Sequence, residues 1–167
     1  TPEELARLVW TEMDGAIQDA QLARIRLTAP GELTIECRGE DSPMDVTRTY
    51  DFSASHRLHS PKLSDDENRA IFGKCNNPHG HGHNYTLEVT LQGHPGPEGE
   101  LAAPETIDRV VREQVIDRWD HKNLNADVPE FREINPTAEG IVRIAWERLM
   151  QGFAGKLPQG VRLSRLK

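Results

Sequence analysis

The 167-residue sequence is short of cysteine, of long apolar runs and of any basic stripe, and each shortage removes a class of protein. Its only cysteines are Cys37, in an apolar strand-like run, and Cys75, among histidines, glycines and asparagines. Two thiols in such different settings do not make a disulfide framework. The longest apolar runs are a few residues, far below the roughly 20 that span a bilayer, and the start of the sequence lacks a charged-then-apolar leader. The expectation is a soluble, cytoplasmic protein. Acids and bases are interspersed, with a formal charge of −7 and no cationic face, so no electrostatic footprint for nucleic acid is present. A small-molecule partner is expected. The length suffices to bury a core and suggests one domain or a little more.

What is present begins as a helix. Thr1, Pro2 and Glu4 supply a hydroxyl cap, a proline at the first helical position and a glutamate three residues after the cap. Leu5, Leu8, Val9, Met13 and Ile17 then recur at helical spacing, predicting about 15 residues of helix. Strand-like segments at 22–28 and 32–38 flank a Pro30-Gly31 turn. From Val46 to His56 apolar and polar residues alternate, and alternation resumes from His81 through His83, Tyr85, Leu87, Val89 and Leu91. Both strands carry histidine on the apolar face. The polar stretch 57–80 between them reads as a long functional loop. Ile107, Val110, Val111, Val115 and Trp119 predict a helix; Ile141, Ile144, Ala145 and Leu149 predict another, capped by Thr137. Residues 161–167 begin a further strand.

The beginning repeats the end. Thr1, Glu3, Arg7 and Trp10 match Thr137, Glu139, Arg143 and Trp146 at a constant offset of 136, with Leu5/Ile141 and Leu8/Ile144 conservative, and residues 22–26 match 163–167. Residues 1–40 therefore read as the second half of one unit and 44–167 as a second unit.

The chemistry gathers around His81-Gly82-His83, which sets two imidazoles on one strand face with Gly82 leaving room for close approach. His56, at the end of the other strand, would supply a third nitrogen and leave a coordination position open, as catalytic zinc requires. The spacing alone leaves iron and copper open. His59, His79 and His94 show that this region also carries histidine without evident purpose. Cys75 sits in the turn-forming Gly73-Lys74-Cys75-Asn76-Asn77-Pro78, where a cation and Lys74 would stabilise a thiolate. A fourth metal ligand, or a buried structural thiol, are the other readings of Cys75. Asp120-His121 offers a carboxylate beside an imidazole that could carry protons near neutral pH.

Phe52-Ser53-Ala54-Ser55-His56-Arg57-Leu58, Leu63-Ser64-Asp65-Asp66-Glu67-Asn68, the run from Phe72 through Cys75 and His81-Gly82-His83 to Tyr85, Asp120-His121-Lys122-Asn123-Leu124 and Pro136-Thr137-Ala138-Glu139 together resemble the 6-pyruvoyl-tetrahydropterin synthase and 6-carboxytetrahydropterin synthase family over about 120 residues. The resemblance implies an α+β tunnelling fold (T-fold): units of an antiparallel four-stranded sheet and two helices that assemble into a β-barrel homo-oligomer with active sites at subunit interfaces. It implies that His56, His81 and His83 hold Zn2+, that Cys75 is the general base, that Asp120 and His121 form a proton relay, and that Thr137 and Glu139 help hold the pterin. The implied substrate is 7,8-dihydroneopterin triphosphate, from which triphosphate is eliminated to give 6-pyruvoyl-tetrahydropterin, with neither nucleic acid nor membrane as partner. The six-residue step from Cys75 to His81 resembles the pyruvoyl-forming branch. The carboxy-forming branch of queuosine biosynthesis and a non-catalytic pterin-binding module are the alternatives.

Two positions depart from the family. Around Leu101-Ala102-Ala103-Pro104 no Asp or Asn enters the helix, and the glutamate that anchors the pterin in the family belongs to a strand beyond Lys167. In these terms residues 1–40 are the helix and hairpin of a first, degenerate T-fold repeat, and 44–167 are a second unit with the metal site, lacking its final strand. The equivalent place in the first repeat, near Thr28, Ala29 and Pro30, holds no carboxylate either.

Overall fold

A computed structural model describes residues 1–16 and 19–167. The chain forms two compact units, one of residues Thr1–Tyr50, Leu87–Val110 and Gly152–Lys167, the other of Asp51–Thr86 and Val111–Gln151.

In the first unit, helix α1 (Pro2–Met13) starts as its sequence dictates: Thr1 Oγ1 accepts the Glu4 N–H, and the Glu4 carboxylate reaches back to the Thr1 amino group. It spans 12 residues; the expected contribution of Ile17 lies outside the described residues. The face it buries is Glu3, Ala6 and Trp10, while Leu5, Leu8 and Met13 of the expected apolar stripe are exposed. Strands β1 (Ile25–Ala29) and β2 (Leu33–Cys37) form an antiparallel hairpin. β2 pairs antiparallel with β3 (Met44–His56), and β4 (His81–Gly93) pairs antiparallel with β6 (Arg162–Leu166), giving the order β1-β2-β3-β4-β6. Val46, Val89, Leu91 and Leu163 alternate inward along these strands and are buried. Arg48 and Tyr50 of β3 both bond Asp108 on helix α3 (Pro104–Val111), pinning the helix to the sheet.

In the second unit the stretch 57–80, expected as one long functional loop, contains a helix and a 3₁₀ turn. Ser64 and Glu67 form a reciprocal capping box that starts helix α2 (Asp65–Phe72), and a 3₁₀ turn over Gly73–Asn76 carries Cys75. The fully buried Asn68 holds the preceding loop: its Oδ1 accepts the Ser60 N–H at 2.7 Å, and its Nδ2 donates to the carbonyls of Ser60, Leu63 and Ser64. The helix expected over 107–119 forms, but not as one α-helix. Its middle, Arg112–Ile116, widens into a π turn in which the Asp117 N–H reaches back to Arg112 O before helix α4 (Asp117–Trp119). A two-residue strand β5 (Lys122–Asn123) pairs parallel with β3 at Ala54 and Ser55, and the short helix α5 (Leu124–Asp127) follows. Helix α6 (Ala138–Phe153) buries Ile141, Ile144, Ala145 and Leu149, as its spacing predicts. The aromatic core of this unit is Trp119, packed edge-on against Phe52 and Phe131, with Tyr85 stacked on Phe52.

Candidate active site

Strand geometry brings three histidines together. His56 ends β3, and His81 and His83 open β4 two residues apart, so the period of two points both onto the side where His56 is buried. Their ring centroids lie 4.5–4.9 Å apart. The turn through Gly73–Asn76 adds Cys75, and one donor atom from each of His56, Cys75, His81 and His83 lies within 4.8 Å of the others. Cys75 Sγ stands 3.6 Å from His81 Nε2, and His83 Nε2 stands 2.7 Å from the same nitrogen.

The wiring of His56 fits a metal ligand. Its Nδ1–H donates to the Pro136 carbonyl at 2.8 Å, which fixes the tautomer and leaves Nε2 with its lone pair free. That Nε2 is buried and has no hydrogen-bond partner among the described residues. An orphaned buried nitrogen beside two imidazoles and a thiol is what a bound cation would satisfy. Burial first, then the neighbouring His83 and His81, hold the His56 pKa below its ordinary value against the opposing Pro136 bond, so the ring is neutral and ready to ligate at pH 7. The donor set of three nitrogens and one sulfur suits a borderline-soft ion.

Backbone contacts tighten the cluster. Gly80 adopts φ +71°, and a Cβ there would lie 2.8 Å from the His56 carbonyl oxygen, so only glycine lets the chain turn into β4 this close to β3. Leu58 N–H donates to Cys75 O at 2.7 Å, tying the thiol's turn to the segment after His56.

Asp120 and His121 are a bonded pair. His121 Nδ1 lies 2.8 Å from Asp120 Oδ2, while Asp120 Oδ1 accepts the Ser53 N–H at 2.8 Å and His121 N–H donates to Ser53 O. The Ser53 bond first, and then His121, hold the Asp120 carboxyl below its usual range, so it stays ionised beside the imidazole. His121 is exposed and takes a positive φ of 56°. His121 and Cys75 line different cavities, of about 440 and 830 Å³, and His83 lines both.

Thr137 and Glu139 line neither cavity. Thr137 Oγ1 accepts the Gly140 N–H and caps α6; Glu139 is exposed. Their connection to the cluster runs through Pro136, whose carbonyl receives His56. Sequence reasoning named Lys74 beside Cys75 but missed the two arginines. Arg57 and Arg69 line the larger cavity with Lys74, and the Ser64-x-x-Glu67 capping signal would have placed Arg69 on a helix leading to it.

A family model described as 6-pyruvoyl tetrahydropterin synthase matches residues 45–167. The 6-pyruvoyl tetrahydrobiopterin synthase of Poecilia reticulata is 41% identical over 119 residues, 71% of this chain and 81% of that protein. That of Homo sapiens is 41% identical over 130 residues, 77% of this chain and 87% of that protein. The solved structure of Caenorhabditis elegans 6-pyruvoyl tetrahydropterin synthase superimposes with a TM-score of 0.65 at 35% identity, covering 74% of this chain and 95% of that one.

Proposed function

Because this chain belongs to the 6-pyruvoyl tetrahydropterin synthase family, we propose that it is a zinc-dependent carbon–oxygen lyase that eliminates triphosphate from 7,8-dihydroneopterin triphosphate to give 6-pyruvoyl-tetrahydropterin. The observation that carries the reading is the convergence of the orphaned His56 Nε2 with His81, His83 and the Cys75 thiol. His56, His81 and His83 would hold the zinc. When bound, the ion supplies Lewis acidity toward the hydroxyls of the substrate side chain and so acidifies the adjoining C–H bonds. Cys75 accepts a proton from such a carbon and returns it to a neighbouring one. Asp120 keeps His121 oriented and compensates its charge, so that His121 moves the hydroxyl protons. Triphosphate leaves with the electron pair of the broken C–O bond. Oxidation of the side chain and reduction of the ring balance internally, so no external oxidant or reductant enters.

Thr137 and Glu139 are read as pterin-holding, and the active form as a homo-oligomer with sites at subunit interfaces. Among the described residues no helix is long and apolar enough to cross a membrane, and the protein is read as cytoplasmic. Residues 1–40 are read as the helix and hairpin of a degenerate first repeat. In support, α1 and α6 are both capped by a threonine hydroxyl accepting the N–H three residues on, and the β1–β2 hairpin pairs with β3.

The test is incubation of the zinc-loaded protein with 7,8-dihydroneopterin triphosphate, with product mass spectrometry and assay of released triphosphate. The pyruvoyl product is expected, with the rate in Cys75→Ala lower by about 10²- to 10⁴-fold at unchanged zinc content. Ligand binding without product, or a carboxy product, overturns the reading.

A further inference from the structure

The chain is acidic overall, yet the cavity that opens onto Cys75, His81 and His83 is walled by three cations, Arg57, Arg69 and Lys74, against one carboxylate, Asp65. Among the described residues no carboxylate pairs with Arg57 or Lys74; Arg69 pairs with Asp66, which is almost fully exposed. Arg57 is pre-set. Its backbone N–H donates to Asn125 Oδ1 at 2.7 Å and its carbonyl accepts from Asn125 Nδ2, while its Nε donates to Asn76 O and its Nη2 to His59 Nδ1, both at 3.3 Å. Asn76, itself buried, also donates to His59 Nδ1, so the acceptor that holds the guanidinium is fixed from a second side. Of the five guanidinium N–H groups, those not bonded to Asn76 and His59 remain for a ligand. A volume of about 830 Å³ is in the range of sites for whole small molecules.

Three cations in a concave site beside a proton-transfer group, two of them without a carboxylate partner among the described residues and one of them oriented by hydrogen bonds, are a receptor for a multiply charged oxyanion. We propose that Arg57, Arg69 and Lys74 form an oligophosphate subsite that holds the triphosphate of the substrate and receives it as the leaving group, with Asp65 setting an upper bound on how tightly the product anion is retained. This rests on the substrate proposed above, and it adds the residues that recognise its charged end. Arg57 positions the anion nearest the cluster; Arg69 and Lys74, both exposed, act chiefly through charge.

The test is calorimetric titration of the zinc-loaded protein with inorganic tripolyphosphate and, separately, with neopterin, which keeps the ring and side chain but has no phosphate. Because Arg57 also supports its loop, the informative variants are Lys74→Gln, Arg69→Gln and Asp65→Asn. Tripolyphosphate affinity is expected to fall about tenfold in each cation variant, to rise in Asp65→Asn, and to weaken with added salt, while neopterin affinity stays as in the wild type. His56→Ala, in which the metal site is broken, is expected to keep most of the tripolyphosphate affinity. Unchanged tripolyphosphate affinity in both cation variants, or its loss only in His56→Ala, overturns the subsite. Wild-type protein that binds tripolyphosphate at these residues but does not bind neopterin overturns the proposed substrate and leaves the subsite standing.

Discussion

A methyl group at position 80 would be crowded, because the residue is at φ +71° and the His56 carbonyl oxygen lies only 2.8 Å from the place of a Cβ. Gly80→Ala is therefore expected to destabilise the fold by on the order of 2 kcal/mol and to lower metal content together with stability, measured by thermal unfolding and metal analysis of the same preparation. His81→Ala separates the two effects. It removes a donor without straining backbone, so metal content should collapse while the metal-free protein unfolds near the wild-type apo temperature. The residues of this cluster were legible in the sequence because a strand repeats every two residues and three histidines fell on the apolar side of that period. Their supports were not. The Pro136 carbonyl that orients His56, and the Asn125 amide that clamps Arg57, act through loop contacts that leave no periodic trace.

At the scale of elements, α1 and α6 share residues but not burial. Ile141 and Ile144 are buried on α6, whereas Leu5 and Leu8, 136 positions earlier, are 52% and 57% exposed. Ile144→Ala should cost about 2 to 5 kcal/mol by denaturant unfolding, and Leu8→Ala should fall within about 0.5 kcal/mol of wild type. Equal costs would show that the two helices bury the same face. The helical period in the sequence marked both stripes, but period reports only that a face is apolar, not what covers it. For the same reason α2 escaped detection: eight residues with a polar N-terminal turn carry too little periodicity, and only the Ser64/Glu67 box announces it. Its anchor is testable as well. Asn68→Ala strips four hydrogen bonds from the loop over Ser60–Ser64, and a cost of about 2 kcal/mol with faster amide exchange confined to that loop and α2 is expected.

At the scale of the whole molecule, the buried carboxylate of Glu36 links stability to pH. Burial works to raise the pKa of Glu36, but the Arg26 hydrogen bond and the charges of Arg26, Arg24 and Arg38 outweigh it and the net shift is downward. A carboxylate depressed on folding contributes stability that is present above its unfolded pKa of about 4.5 and is lost as pH falls through the lower folded value. Stability should thus decline below about pH 4.5, and Glu36→Gln should flatten that decline in urea titrations across pH. The family, and the longer helices and strands, could be read from the chain because its motifs are contiguous and its long elements periodic. The π turn in Arg112–Ile116 could not, since one extra residue in a helical turn barely shifts an apolar pattern.

The sharing of His83 between two cavities has a stereochemical reading. If the thiol and the His121 imidazole act as proposed, each would approach the substrate side chain from its own cavity. A product made in deuterium oxide should then carry the deuteron that Cys75 delivers to a ring or side-chain stereocentre in a single configuration, and that handedness would record which wall the thiol occupies.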